Sequence, residues 1–331
     1  MDATSGNYFV TVFCFNFFDS RYGGSTIYVY NFLVIKVLKR KFEKIDDIFS
    51  SKIGNPTSVK ISSFYNDKPF PNYKEKENLS SFLDTGNKNI FIKSLKDYIG
   101  MGKKILEVGC GTGQIANYLA AQTNNDVWGL DLGINSLKLA KNFAEKNLIH
   151  NATYVHGDLF DDIFNEEKFD VIYCSGVLHH TNMPRQGFEK LVKLLKPGGI
   201  IIIGLYNWYG RFWTVLKSKL LQFSLFKSYG WIVDLKLRNF KNNKAKYEAW
   251  YQDQFQHPVE SRHTFCELLD WFDSKQIKLL FSLPSTTLNE NIDFDNFQER
   301  SNKFIRLFKQ MLMLFQHYGR EGGLFIFVGK K

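Results

Sequence analysis

Residues 105–113 join an apolar run to three glycines at alternate positions, in the order Ile-Leu-Glu-Val-Gly-Cys-Gly-Thr-Gly. Glycines at this spacing let a ligand approach the backbone where a strand ends, and the helix that begins at Gln114 offers free N–H groups to an anion. Asp131 closes the next apolar run, where a carboxylate can accept hydrogen bonds from the two hydroxyls of a ribose. Asp158 closes the third run and can accept from an exocyclic amine such as that of adenine. These residues predict a nucleotide-type site at the carboxyl ends of adjacent strands.

Short β-branched runs alternate with helical patterns from residue 104 onward, which is typical of a parallel sheet with crossover helices. Five runs lie at regular spacing and two more follow at longer intervals, at 104–109, 126–131, 153–158, 169–175, 199–206, 277–283 and 323–329. The longer intervals predict helical insertions at about 206–262 and 284–321. Thr264 and Glu267 have the spacing of a capping box, which predicts that a helix begins there.

The second insertion carries an amphipathic helical pattern. Its apolar residues recur at three- and four-residue spacing opposite a basic face, and the two sets are Phe304, Ile305, Phe308, Met311, Leu312 and Phe315 against Arg300, Lys303, Arg306 and Lys309. We interpret it as a packed lid in preference to a membrane anchor. Residues 1–60 are assigned as an N-terminal extension of unknown role, and residues 61–331 as one domain.

The chain resembles the class I S-adenosylmethionine-dependent methyltransferases over roughly 81–205 and its last two strands. The resemblance rests on 105–113, Asp131, Asp158, the segment FDVIYCSGVLHH at 169–180 and the turn LLKPGG at 194–199. The dinucleotide fingerprint GxGxxG would need glycine at position 114, where the chain has glutamine, and this counts against NAD. The resemblance implies an α/β, Rossmann-like fold: a seven-stranded, mostly parallel sheet with the last strand antiparallel, and helices on both faces.

Carried over residue by residue, the resemblance implies that S-adenosylmethionine is the cofactor. Its methionine part would lie against the glycine loop, its ribose on the carboxylate that ends strand two, and its adenine beside the carboxylate that ends strand three. The cofactor-binding residues so implied are Glu107, Gly109, Gly111, Gly113, Asp131, Leu132, Asp158, Leu159 and Ser175. Residues 69–73, 204–211 and 253–263 are similar to segments of a bacterial subgroup of this family, and they add no chemistry.

The loop after the fourth run bears on the methyl acceptor. It lacks the Asp- or Asn-Pro-Pro-Tyr motif and the Pro-Cys nucleophile of base-methylating enzymes, which disfavours DNA. Its His179-His180 pair resembles small-molecule and lipid-quinone methyltransferases, in which this loop borders the methyl group. Either histidine is a candidate base; the alternative is that it only orders the loop. Tyr206, Asn207 and Arg211 follow strand five and are candidate substrate contacts, with turn and capping roles as the alternative.

His257, Glu260 and His263 are spaced by three residues, which raises the question of a metal site. Pro258 and the helix start at Thr264 place them on a loop. We rank substrate binding or proton removal first, with His257 and Glu260 as candidate catalytic groups and His263 as a substrate contact. Structural hydrogen bonding ranks second and zinc third, so no metal is predicted.

The net charge of +10 lies outside the central segment. Residues 205–331 hold 19 basic and 12 acidic side chains, whereas residues 105–204 hold 8 and 11. Residues 211–246 contain nine Lys or Arg residues interleaved with aromatic residues, and they contain one acidic residue, Asp234. Such a stretch can meet phosphates, an anionic membrane or an acidic substrate; a solvated helix face is the alternative.

Leader, cysteine and hydropathy patterns bear on the compartment. The chain starts Met-Asp without a basic leader, its four cysteines contain no CxxC pair, and it has no run of eighteen apolar residues. We therefore expect reduced thiols, a cytoplasmic location and no membrane-spanning helix, with peripheral membrane contact left open.

Together these patterns predict methyl transfer from S-adenosylmethionine to a small-molecule or lipid-like acceptor that is anionic. Whether oxygen, nitrogen or carbon is methylated is left open, as is the oligomeric state. Two alternatives are an RNA methyltransferase that uses the basic 211–246 stretch and a non-catalytic cofactor-binding protein that uses its aromatic-rich extensions to bind a partner.

Overall fold

A mixed β-sheet runs through the part of the chain that the computed structural model describes, residues 37–39, 42–67, 78–221, 234–255, 257–315 and 323–331. Its strands are β1 (Glu43–Ile45), β2 (Ile48–Ser50), β3 (Lys104–Val108), β4 (Asp126–Asp131), β5 (Ala152–His156), β6 (Phe169–Ser175), β7 (Leu195–Tyr206), β8 (Lys278–Leu283) and β9 (Leu324–Lys330). They are ordered β1-β2-β5-β4-β3-β6-β7-β9-β8. The central strands are buried on both faces, which explains their nearly continuous apolar sequences.

Helices cover both faces of this sheet. They are α1 (Pro56–Asp67), α2 (Leu79–Asn87), α3 (Ile90–Ile99), α4 (Gln114–Ala120), α5 (Ile134–Lys146), α6 (Pro184–Leu194), α7 (Phe212–Leu221), α8 (Leu235–Asn239), α9 (Lys244–Phe255), α10 (Phe265–Ser274) and α11 (Lys303–Leu312). The predicted cap at Thr264 is present, since its hydroxyl accepts from the Glu267 N–H at 3.1 Å. None of the helices in the described ranges is long and apolar enough to cross a membrane.

The sheet confirms the predicted topology. Strands β3 to β7 are mutually parallel, and β9 runs antiparallel to both β7 and β8. The described sheet has nine strands where seven were predicted, because residues 43–50 form a hairpin whose second strand pairs in parallel with β5. Asp46 and Asp47 both have positive φ, the turn geometry that joins two short antiparallel strands.

The predicted extension at 1–60 is therefore partly integrated into the sheet, and its boundary at residue 60 lies inside α1. Residues 1–36 and the segment 69–73 lie outside the described residues. The insertion at 206–262 contains α7, α8 and α9, and the insertion at 284–321 contains α11.

Candidate active site

A cavity opens at the carboxyl ends of β3, β4, β5 and β6. It encloses about 1420 Å³ including its open mouth. The predicted cofactor residues that line it are Gly109, Gly111, Asp131, Leu132, Asp158, Leu159 and Ser175. Parallel strands bring these residues together, since their carboxyl ends meet at one edge of the sheet.

Asp131 lies at the wall of this cavity with its carboxylate held by backbone donors. Its Oδ2 accepts from the Gly111 N–H at 2.7 Å, and its Oδ1 accepts from the Gly133 N–H at 2.7 Å. Burial raises the pKa of this carboxyl above its ordinary value. The Leu132 N–H is a third backbone donor; because a carboxylate has about four acceptor sites, this one can still accept from a hydroxyl of a ligand.

Glu107 and Gly113 do not line the cavity, although both were predicted to surround the cofactor. Glu107 Oε2 accepts from the Ala116 N–H at 2.7 Å, which caps α4 from the neighbouring strand because Gly113 has no side chain to do so. Burial raises the pKa of Glu107 well above its ordinary value. A Cβ at Gly113 would lie 2.6 Å from the Ala140 Cβ, so this glycine permits close packing against α5.

Asp158 and Gly176 both form part of the cavity wall. Asp158 is buried, and its Oδ1 accepts from the Phe160 N–H at 2.9 Å, which fixes the turn after β5. Gly176 follows β6 with a φ of +82°, and a Cβ there would meet no atom within 4 Å. Because Gly176 lines the cavity, a side chain at this position would enter ligand space. Sequence reasoning did not single out Gly176.

His180 is the histidine of the predicted pair that lines the cavity. Its Nδ1 lies 2.8 Å from the carbonyl oxygen of Val259. Because a carbonyl can only accept, Nδ1 carries the hydrogen and Nε2 of the neutral ring is an acceptor. Burial lowers the pKa of His180 to about 4. The ring is therefore neutral near pH 7, as a proton acceptor must be.

His179 lies behind the cavity wall and is fully buried. Its Nδ1 accepts from the Tyr206 N–H at 3.2 Å, and its ring stacks on the Tyr206 ring with centroids 3.9 Å apart. Burial lowers the pKa of His179 well below its ordinary value. His179 therefore supports the wall and does not contact a ligand in the cavity.

Each of the three loop residues His257, Glu260 and His263 contacts a different partner. The His257 ring packs on the His180 ring with centroids 3.6 Å apart, and its Nδ1 lies 2.6 Å from the Val259 carbonyl oxygen. His263 is buried and bonds through Nδ1 to Glu267 at 2.8 Å. None of the three predicted loop residues is among those that line the cavity, and His257 contacts the site through the His180 ring.

Arg211 and Glu260 form an ion pair in which the arginine is fully buried. The Arg211 Nη2 lies 2.6 Å from the Glu260 Oε2, and Arg211 Nη1 donates to Gln254 Oε1 at 2.6 Å. Arg211 was predicted to contact substrate, and Glu260 was predicted to act as a catalytic group. The structure instead uses them to join α7, α9 and the 257–263 loop, because a buried guanidinium requires several acceptors.

Tyr206, a predicted substrate contact, lines the cavity together with two residues of α9 that sequence reasoning missed, Trp250 and Gln254. Gln254 Nε2 donates to the Tyr206 hydroxyl at 3.2 Å. Asn207 is buried away from the cavity, where its Oδ1 accepts from the Tyr209 N–H at 3.0 Å. The sequence contains one weak indication that α9 reaches the cavity. This helix belongs to an aromatic-rich insertion, and the insertion directly follows a strand that ends at the site.

The basic 211–246 stretch is only partly described, because residues 222–233 lie outside the described ranges. Within the described part, Arg211 is buried in its ion pair and Lys217 Nζ lies 4.0 Å from Asp234 Oδ2. These two cations therefore do not belong to a continuous solvated face.

Residues 106–203 match the family model described as a methyltransferase domain. The sterol 24-C-methyltransferase of Candida albicans is 32% identical over 106 residues, which are 32% of this chain and 28% of that protein. The ubiquinone biosynthesis O-methyltransferase of Erwinia tasmaniensis is 34% identical over 120 residues, which are 34% of this chain and 46% of that protein. The solved structure of PKMT2 from Rickettsia typhi aligns over 72% of this chain and 52% of that chain, with a TM-score of 0.51 and 16% identity.

This chain spans less than half the length of those two curated relatives, and the Rickettsia typhi structure shows a shared fold. Residues 106–203 are a class I S-adenosylmethionine-dependent methyltransferase domain. The matched segment contains the glycine loop, both cavity carboxylates and His180.

The cavity fits S-adenosylmethionine as the cofactor of this domain. The half-buried carboxylate of Asp131 would accept from the ribose hydroxyls, and the buried Asp158 would provide an acceptor near the apolar side chains of Leu132 and Leu159. Gly176 leaves open the space that a Cβ would fill. The donor and acceptor chemistry of the wall therefore matches a molecule with a ribose diol, an adenine and a charged methionine part.

Proposed function

We propose that this protein, which carries a class I S-adenosylmethionine-dependent methyltransferase domain at residues 106–203, transfers a methyl group to a hydroxyl oxygen of a small-molecule or lipid-like acceptor. One observation carries the proposal. His180 lines the cavity as a neutral imidazole, with its Nδ1–H engaged by the Val259 carbonyl. Its Nε2 is thus available to receive the proton that a hydroxyl must lose on methylation.

The bound cofactor supplies an electrophilic methyl carbon on a sulfonium. Loss of that methyl group to the acceptor oxygen would leave the sulfur as a neutral thioether, so no further co-reactant is needed. The hydroxyl proton passes to Nε2 of His180, while Val259 keeps the ring in the required tautomer. Asp131 and the glycine loop hold the reacting groups in line, which is the main contribution of a protein to a direct displacement.

The residues that line the cavity favour an acceptor whose buried part is neutral. Among the described lining residues, none is Lys or Arg, and the titratable ones are Asp131, Asp158, His180 and Tyr206. Apolar groups such as Trp250 and Met183 lie beside small hydroxyl and amide side chains. We therefore replace the anionic acceptor expected from the charge distribution by a neutral, partly apolar one that carries a hydroxyl. Two of the curated relatives are named for a sterol and for ubiquinone biosynthesis, which supports this class.

Methyl transfer to fractionated extract tests the proposal. The protein is incubated with cofactor carrying a labelled methyl group, and the lipid, RNA, protein and small-metabolite fractions are counted. We expect label in the lipid or small-metabolite fraction, in a bond that resists mild base as an ether does. Label in RNA would support the RNA alternative and contradict this proposal, and absence of label despite cofactor binding would support the non-catalytic alternative.

The variant His180→Asn tests the role of His180 as the base. Its amide can still donate to the Val259 carbonyl in place of Nδ1–H, but it offers no basic nitrogen to the cavity. We expect unchanged cofactor affinity and a loss of turnover of about 10²–10⁴-fold, the range for a general base.

A further inference from the structure

Helix α11 presents its apolar face to solvent. Phe304, Leu307, Phe308 and Met311 lie within an arc of about 100° on this helix, and Phe315 continues the line in the turn that follows it. The Phe304 side chain is 83% exposed and Phe315 is 75% exposed. We call these five residues the outer stripe. The sequence predicted that this apolar face packs inward as a lid, and that prediction is wrong for the described structure.

The polar face of α11 is the one that packs against the protein. Gln310 is buried, and its Oε1 accepts from the Phe265 N–H at 2.8 Å and from Asn207 Nδ2 at 3.1 Å. Lys309 Nζ lies 2.8 Å from Glu290 Oε1. These specific hydrogen bonds fix the helix with its apolar side outward, so the orientation is not a loose arrangement of an amphipathic segment.

Aromatic residues from α7 and from the turn before it extend the exposed surface. Trp213 Nε1 donates to the Leu314 carbonyl at 2.9 Å, which ties α7 to the end of α11. Trp208, Phe212 and Trp213 border a shallow groove together with Phe315. Trp208 is 51% exposed. Exposed apolar patches of this kind mark interaction surfaces, since isolated soluble domains keep such patches small.

Positive charge accompanies this surface. Lys303 and Lys219 are exposed on the two helices, and the Arg262 guanidinium carbon lies 4.0 Å from the centroid of the Trp208 ring. Tryptophan, phenylalanine and lysine on one surface are the combination that inserts at the boundary between lipid headgroups and acyl chains.

We propose that the outer stripe and the neighbouring aromatic residues of α7 bind an anionic lipid bilayer as a peripheral membrane surface. Phe304, Phe308 and Phe315 enter the interfacial region, while Lys303 and Lys219 meet anionic headgroups. An anionic bilayer is complementary to these cations, whereas a second copy of this chain would bring like charges together. The charge of this surface therefore favours a bilayer as its partner.

Vesicle flotation tests this surface in the full chain. Vesicles of phosphatidylcholine alone are compared with vesicles that also contain phosphatidylglycerol, using the wild type and the variant Phe304→Ser/Phe308→Ser. The control variant Ile90→Ser/Leu148→Ser removes two other exposed apolar side chains from elements outside this surface, of which Ile90 is 74% and Leu148 is 75% exposed.

We expect the wild type and the control variant to float with the anionic vesicles and to bind less at high salt. The Phe304→Ser/Phe308→Ser variant should partition at least tenfold less, about 1.4 kcal/mol, with an unchanged unfolding midpoint. Three outcomes overturn the proposal. They are equal binding by both variants, a wild-type dimer that the stripe variant dissociates, and a drop of several degrees in the midpoint, which would show that another segment of the chain covers the stripe.

Discussion

The guanidinium carbon of Arg211 lies 3.9 Å from the centroid of the Tyr206 ring. One face of this ring thus meets a buried cation, while Tyr206 itself forms part of the cavity wall. Arg211 also binds Glu260 and Gln254, and Gln254 donates to the Tyr206 hydroxyl. The buried cation therefore supports the Tyr206 ring from behind the cavity wall.

Asp131→Ala should abolish binding of S-adenosylmethionine while the fold is retained, because the change removes the ribose acceptor without opening a core cavity. A ligand at a hundred times its dissociation constant stabilises by about 2.7 kcal/mol, so the wild type should show a clear rise in unfolding midpoint. Asp162→Ala, at an exposed aspartate, serves as control. Equal stabilisation of the Asp131 variant would contradict the site.

Gly176→Ala should weaken ligand binding more than it weakens the fold. The methyl group enters the cavity, and alanine is strained at a φ of +82°. Gly198→Ala is the matched control, since Gly198 has a φ of +75°, the same open surroundings and no place in the cavity wall. We expect similar small losses of stability and a selective loss of cofactor or acceptor affinity in the Gly176 variant. Titration calorimetry distinguishes the two effects.

The pH profile of turnover should reflect the low pKa of His180. A base is active when deprotonated, so lowering its pKa extends activity to more acidic pH. We expect no loss of rate near the ordinary histidine pKa of about 6.5, and a fall only as pH approaches about 4. Cofactor affinity measured across the same range separates this effect from protonation of Asp131. An inflection near neutrality that disappears in His180→Asn would argue against the buried, neutral imidazole.

Arg211→Met should destabilise the protein strongly, because it leaves Glu260 without its buried cationic partner. Removing one member of a buried pair costs about 3–5 kcal/mol. Arg300→Met removes a pair with Asp273 whose two side chains are 54% and 45% exposed, and such a change costs about 0–1 kcal/mol. Urea unfolding of both variants measures the difference in their free energies of unfolding. Equal losses would show that the buried Arg211 pair stabilises the fold no more than the exposed Arg300 pair does.

Sequence patterns alone determined the sheet and the cofactor side of the cavity. Apolar runs that end in glycine or aspartate predict their own strand ends, and parallel strands must bring Gly109, Asp131 and Asp158 to one edge. These are local properties repeated along the chain, so they can be identified without knowing the three-dimensional packing. The turn at Asp46-Asp47 was missed because strands of three residues give too short a pattern.

Tertiary structure alone decided the acceptor side. His179 and His180 are adjacent and chemically identical, and only the Val259 carbonyl and the Tyr206 ring determine which one lines the cavity. Arg211 was indistinguishable in sequence from a substrate-binding cation until its distant partners, Gln254 and Glu260, were placed beside it. Helix α11 has two possible inward faces by periodicity. Its orientation follows from hydrogen bonds of Gln310 to residues far away in the chain, which no local pattern encodes.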